Sequence, residues 1–255
     1  MHYLSFLAEL HQRLHPETYL EIGVRSGTSL ALARCRAVGI DPDYAITAEL
    51  DHSVALFRTS SDDYFARPDP LRPTGGQRID LAFIDGLHLF EFALRDFMNV
   101  ERHSTPHSLI VLDDILPKTP EAASRNLQRG SWTGDVYPIL AVLERYRPDL
   151  IVVPVATRPT GLLLVFGLDP ADTTLHDHYD EILAEYRKPD PQPVPQELMD
   201  RFGVFPPHRV LESDVLDLLA GIDRSLAAAD VRRVLADRVR QDWGIQFARE
   251  TATAP

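Results

Sequence analysis

Short apolar runs that each break at glycine or aspartate constrain this chain more than any other feature. Tyr19–Ile22 ends at Gly23, Val38–Ile40 at Asp41, Ile79–Ile84 at Asp85 and Ser108–Leu112 at Asp113; Ala55–Phe57 is a weaker member of the set. Amphipathic stretches lie between them. From Leu89 to Val100, the residues Leu89, Phe90, Ala93, Leu94, Phe97 and Met98 share one helical face, with Glu91, Arg95 and Asp96 placed elsewhere. Asp135 to Tyr146 repeats the pattern with Val136, Ile139, Leu140 and Leu143. Leu150–Val153 and Leu162–Phe166, turning around Pro159-Thr160-Gly161, read as a closing antiparallel pair. Strands alternating with helices specify an α/β sheet with crossover helices.

The pattern changes near Asp190, where Pro189-Asp190-Pro191-Gln192-Pro193-Val194-Pro195 cannot continue a helix. The expected division is therefore a domain over residues 1–188 and a proline-rich linker with a helical appendage over 189–255. Ser213 and Ser225 are the expected N-caps of two appended helices, the second carrying Leu226, Val231, Val234, Leu235 and Val239. Their apolar face would cover the core domain or a second subunit, as in a homo-oligomer; a solvated tail is the alternative.

The apolar fraction of 44% and charged fraction of 25% over 255 residues exclude a disordered or fibrous chain. A net charge of −12 repels nucleic-acid backbones and anionic lipid, which leaves small molecules as expected partners. One cysteine, Cys35, cannot form an internal disulfide. The first residues lack a basic segment followed by an apolar block, and no run approaches the ~18 apolar residues that span a bilayer. A cytoplasmic location, with no membrane partner, is the expectation.

The sharpest local signal is Tyr19-Leu20-Glu21-Ile22-Gly23-Val24-Arg25-Ser26-Gly27-Thr28-Ser29, read as a buried strand that breaks at glycine and enters a helix. Such a turn lets backbone N–H groups approach a ligand. The dinucleotide fingerprint needs a middle glycine where this chain has Arg25, which argues against a nicotinamide cofactor. Glu21 facing an amino-acid end and Asp41 accepting two ribose hydroxyls meet the needs of S-adenosylmethionine. A plain strand-to-helix turn is the alternative.

These eleven residues, with Gly39-Ile40-Asp41-Pro42-Asp43, Phe83-Ile84-Asp85-Gly86-Leu87-His88 and Ile110-Val111-Leu112-Asp113-Asp114, resemble the class I S-adenosylmethionine-dependent methyltransferases. The macrocin-type natural-product O-methyltransferases are the group they are most similar to, over about Pro16 to Gly167. The resemblance implies a Rossmann-like, doubly wound, seven-stranded sheet, mostly parallel with an antiparallel last strand. It implies a cofactor site with Gly23, Gly27, Thr28 and Ser29 on the methionine side and Asp41 on the ribose. Ser60, Ser61 or Asp62 is placed near the adenine, and Asp85 near the reactive end. The implied activity is methyl transfer to a hydroxyl of a small secondary metabolite or sugar.

Asp85, Asp113 and Asp114 close neighbouring strands, and carboxylates crowded there raise one another's pKa unless a cation neutralises them. Hard oxygen donors select Mg²⁺ or Ca²⁺, and the same pattern looks like the Mg²⁺ site of metal-dependent relatives. The alternative is that the Asp113-Asp114 pair caps the following loop. His88 is the nearest candidate base for the acceptor's proton, with Asp85 beside it, and could also bind metal; a structural histidine is the alternative. His103 and His107 read as turn residues before the fifth strand. Pro117 to Gly134 is a long arginine-containing loop of the kind that forms lids. On it Trp132 and Arg129 are the candidate acceptor contacts, though Trp132 could equally pin the loop. A nicotinamide-dependent oxidoreductase and a non-catalytic nucleotide-binding or assembly module stand as rival readings.

Overall fold

In a computed structural model, residues 1–247 are described. Seven strands, β1 (Thr18–Ile22), β2 (Arg36–Ile40), β3 (Val54–Phe57), β4 (Ile79–Ile84), β5 (Ser104–Leu112), β6 (Ile151–Val155) and β7 (Leu162–Phe166), form one sheet. Their order is β3-β2-β1-β4-β5-β7-β6, and β7 alone runs antiparallel to its neighbours. In chain order the α-helices are α1 (Tyr3–Leu14), α2 (Ser61–Phe65), α3 (Phe90–Arg102) and α4 (Pro138–Tyr146). Then come α5 (Thr174–Asp177), α6 (Tyr179–Tyr186), α7 (Gln196–Met199), α8 (Pro207–Leu211), α9 (Val215–Gly221) and α10 (Ala228–Asp242). The doubly wound Rossmann-like sheet read from the sequence is what forms. Among the described residues no helix is long and apolar enough to cross a membrane.

Strand residues alternate between faces, and here both faces are apolar, so two cores form. Leu20, Ile22, Ala82, Ile84, Ile110, Leu112, Leu163 and Val165 pack under α3, α4 and α6. Tyr19, Leu81, Phe83, Leu109, Val111, Leu162, Leu164 and Phe166 point the other way, under α1, α9 and α10. Val231, Leu235 and Val239 of α10 and Val215, Leu216 and Leu219 of α9 are buried against that second face. The C-terminal helices thus cover the chain's own sheet.

That cover is needed because the turn after Gly23 does not become the expected α-helix. Residues 23–35 form only a 3₁₀ turn, Leu30–Leu32. β2 starts at Arg36, ahead of the apolar run, so few residues remain after Ser29 in which to nucleate helix. Other differences are local. α9 and α10 begin after Asp214 and Ala227, neither of which caps through its side chain, and Ser213 and Ser225 do not serve as N-caps. β5 begins at Ser104, which puts His107 inside the strand and makes His103 the C-cap of α3. Glu91 and Asp96, assigned to the polar face of α3, are buried.

Leu235 is fully buried under the sheet, so Leu235→Ala is expected to cost about 2–5 kcal/mol in urea unfolding. A cost below about 0.5 kcal/mol, the level of an ordinary surface change, would mean α10 does not support the sheet.

Candidate functional site

The carboxyl ends of the parallel strands hold the polar residues, because each break residue closes a ladder rung before the chain turns away. Gly23 N–H donates to Ile40, Asp41 N–H to Phe57, Asp85 N–H to Ile22 and Asp113 N–H to Ile84, at 2.8–3.1 Å. Asp41, Asp85 and Asp113 are therefore fixed in one row with the first glycine. Gly23 sits at φ +89°, and a Cβ there would lie 1.7 Å from the Asp85 carbonyl oxygen. Only glycine lets β1 turn so close to β4. Gly27, also left-handed, faces Ile46.

Asp41 ties two loops together. One carboxylate oxygen accepts the Arg25 N–H at 2.7 Å and the other accepts the Asp43 N–H at 2.6 Å. Arg25, standing where a dinucleotide motif has glycine, keeps a left-handed φ of 50°. Glu21 points to the second core with Tyr19, its neighbour two residues back, and is fully buried. Its carboxyl accepts hydrogen bonds from Tyr19 Oη at 2.7 Å and Ser29 Oγ at 2.8 Å. Burial pushes Glu21 up to about 8 against the opposing effect of those two donors. Thr28 is exposed, its hydroxyl 3.0 Å from that of Ser26.

The acid cluster at the ends of β4 and β5 is organised by His88. Its Nε2 lies 3.0 Å from Asp85 Oδ1 and its Nδ1 2.8 Å from Asp114 Oδ2. Burial works against a charged ring, but the carboxylates of Asp114 and Asp85 outweigh it and take His88 up to about 10. The ring is then an imidazolium at neutral pH, and accepting an acceptor's proton requires that it first lose its own. Burial raises Asp85 and Asp113 as well, each pushed further by neighbouring carboxylates. Donor atoms of Asp85, His88 and Asp114 lie within 4.8 Å of one another, a set able to hold a metal ion. Asp113 is not in that set: its Oδ1 accepts the Asp114 N–H at 2.8 Å and the Thr160 hydroxyl at 3.2 Å. His88 and Asp114 both hold left-handed φ, 59° and 64°, a strain of order 1–3 kcal/mol each that surrounding packing must enforce.

Of the residues placed near an adenine, Ser60 caps α2 by accepting the Asp63 N–H at 3.1 Å. Asp62 accepts Arg95 Nε at 3.0 Å and Nη2 at 2.8 Å. The Ser61 side chain bonds to Asp96, whose Oδ1 has no partner among the described residues. Asp96 lines, with Asp85, His88, Asp113 and Asp114, a cavity of about 10 Å³. On the long loop, Trp132 stacks flat on His88, ring centroids 4.9 Å apart and planes 11° from parallel. Arg129 is exposed on the same loop.

Sequence reasoning missed the supports of this site. Arg125 pairs with Glu91 at 2.7 Å and with Asp135, fastening the loop to the start of α3, and Asp135 caps that helix by accepting the Phe90 N–H. The one sequence signal was acids at the two edges of the apolar face of α3, Asp96 and Glu91, both of which the fold buries. Tyr3, whose ring faces Phe83, is raised to about 12 by burial and by Asp85 and Asp113 nearby; nothing local in sequence marked it.

Residues 20–115 match a family model described as a methyltransferase domain. No curated protein sequence matches the chain. A Klebsiella pneumoniae protein named as a "putative O-methyltransferase" superposes at TM-score 0.50 with 18% identity, over 64% of this chain and 79% of that one. The O-methyltransferase TomG of Streptomyces achromogenes, solved with S-adenosylmethionine, gives 0.47 and 19%, over 64% and 78%. The first likeness shows a shared fold, and the family model agrees with the resemblance read from the motifs.

Because the folded chain holds the Glu21 proton up to about 8 while an unfolded glutamate releases it near 4.5, stability from this group is complete below the lower value and declines across that interval. Melting curves are therefore expected to show the native chain losing stability relative to Glu21→Gln as pH rises through this window. Parallel curves would place Glu21 in a wetter setting.

Proposed function

We propose that the chain is an S-adenosylmethionine-dependent methyltransferase acting on a hydroxyl of a small molecule. The observation that carries this reading is Asp41. A carboxylate offers about four lone-pair positions; the Arg25 and Asp43 N–H groups occupy one on each oxygen, which leaves one on each for the two hydroxyls of a ribose. The carboxylate is thus aimed in advance, beside the glycine turn, where open α/β sheets bind nucleotides. The family model over residues 20–115 supports the same ligand class. Arg25 in place of the middle glycine argues against a nicotinamide cofactor.

In the transfer, the acceptor's oxygen forms a bond to the methyl carbon as the carbon–sulfur bond breaks, leaving a neutral thioether, and the hydroxyl proton departs. In-line alignment of the acceptor with the methyl group can supply a large share of such a rate. Asp85, at the row's centre, would lie beside the sulfonium of a nucleoside held by Asp41 across the same strand ends. His88, with its proton removed, is the group within reach to take the acceptor's proton. In the alternative arrangement a divalent ion would be held by Asp85, His88 and Asp114; His88 would then be a ligand rather than the base, and the ion would polarise the acceptor hydroxyl and lower its pKa. Two carboxylates and an imidazole admit Mg²⁺ and favour a borderline ion such as Mn²⁺ more than an all-oxygen site does.

The acceptor is placed beside the Trp132 loop, meeting whichever Trp132 surface His88 leaves free; a secondary metabolite or sugar fits this reading, with Arg129 at the rim. A cytoplasmic setting suits the lone cysteine.

Calorimetry with S-adenosylhomocysteine tests the cofactor. Asp41→Ala is expected to weaken binding about 10–100-fold, the worth of hydrogen bonds to a charged group; binding of NAD instead would overturn the assignment. For the metal, Mn²⁺ is expected to raise the melting temperature of the native chain and not of Asp114→Asn. An equal rise in both would remove Asp114 from the metal set.

A further inference from the structure

Asp190 lies outside the sheet, in the proline-dense segment that follows α6, yet it holds the tip of the loop that covers the site. Its Oδ2 accepts Ser124 Oγ at 2.7 Å and Asn126 Nδ2 at 3.1 Å, and its Oδ1 accepts the Arg125 N–H at 3.0 Å and Gln192 Nε2 at 3.1 Å. Ser124 in turn presents its carbonyl to Trp132 Nε1 at 2.7 Å, and Trp132 lies flat on His88. The loop is closed on itself, since Thr133 N–H and Oγ1 both donate to the Ala122 carbonyl. A shift at Ser124 is thereby passed to the indole.

We propose that Asp190 is a positioning residue for this site, fixing the His88 ring through Ser124 and Trp132. The inference rests on the methyltransferase reading for its purpose, but its geometry does not. Four donors on one carboxylate form charge-assisted bonds, roughly twice as strong as neutral ones. Arg125 anchors the same loop separately through Glu91 and Asp135, and Ala123 is buried in the first core, so loss of Asp190 frees residues 124–126 without detaching the loop. The proline segment resists rearrangement because each proline fixes its own φ. Backbone that bends little is suited to holding a distant loop in one register. A purely structural role would stabilise the loop without dictating the ring's orientation.

The ring-proton chemical shifts of His88 in the full-length chain test this, since a stacked indole moves them upfield. Trp132→Ala sets the full loss of that shift. Asp190→Ala is expected to lose more than half of it with the near-ultraviolet dichroism of the buried core unchanged, and Asp190→Asn, which keeps an acceptor oxygen, to recover part. Ser124→Ala, which removes one of the four donors, is expected to lose less than Asp190→Ala does. Unchanged His88 shifts in folded Asp190→Ala, or in Asp190→Asn should the alanine variant not fold, would overturn the proposal. S-adenosylhomocysteine titrated into the same samples separates this outcome from failure of the cofactor reading: a native chain that shows the stack but binds no ligand loses its proposed activity and keeps the latch.

Discussion

Carboxylates gathered at one edge of a sheet, away from bulk water, are the constraint on which this structure turns. Each must be neutralised or hydrogen-bonded, or the edge would not close. The chain uses a different device for each. Glu21 is held by two hydroxyls, Tyr19 and Ser29. Asp113 accepts a backbone N–H and the Thr160 hydroxyl. Asp85 and Asp114 share one imidazolium between them. His88 stands between two of these carboxylates, and a metal ion held by Asp85, His88 and Asp114 would displace a proton from that ring.

What was legible in the sequence follows from this. The strands are runs such as Ile79–Ile84, whose alternate residues feed both cores, and those runs are visible without coordinates. The row of Asp41, Asp85 and Asp113 was visible too, because each ends a run. Partner choice was not. Nothing in Asp113-Asp114 tells which carboxylate turns to His88, since the answer lies in the left-handed backbone of Asp114. Asp62 reads as a free acid beside a nucleoside until Arg95 of α3, far along the chain, is found holding it. The missing first crossover helix was hidden for a simpler reason: β2 begins before its apolar run, at the exposed Arg36.

That missing helix has a consequence at the far end of the chain. A parallel sheet must be covered on both faces, and with only a 3₁₀ turn between β1 and β2, the second face lacks one of its usual layers. α1 from the start and α9 and α10 from the end supply it, meeting over Tyr19, Phe83 and Val111. α1 also brings Tyr3 against Phe83 at the acid-rich edge, so the element that completes the core places a phenol near the site. Stability and site geometry are then drawn from the same contact.

Three residues without the freedom of glycine, Arg25, His88 and Asp114, take left-handed backbone at the ends of β1, β4 and β5. Such conformations persist where packing leaves no alternative, and the surroundings show why none exists here. The Arg25 N–H is bound to Asp41. The His88 carbonyl abuts Gly134, where a Cβ would come within 1.7 Å, and the His88 ring is pressed by Trp132. Asp114 is tied to the Asp113 carboxylate through its own N–H. Relaxing any one of these would move a carboxylate out of the row. The strain and the alignment are therefore one arrangement, and the loop over His88 is the part of it that long-range contacts, more than the strand ends, must hold.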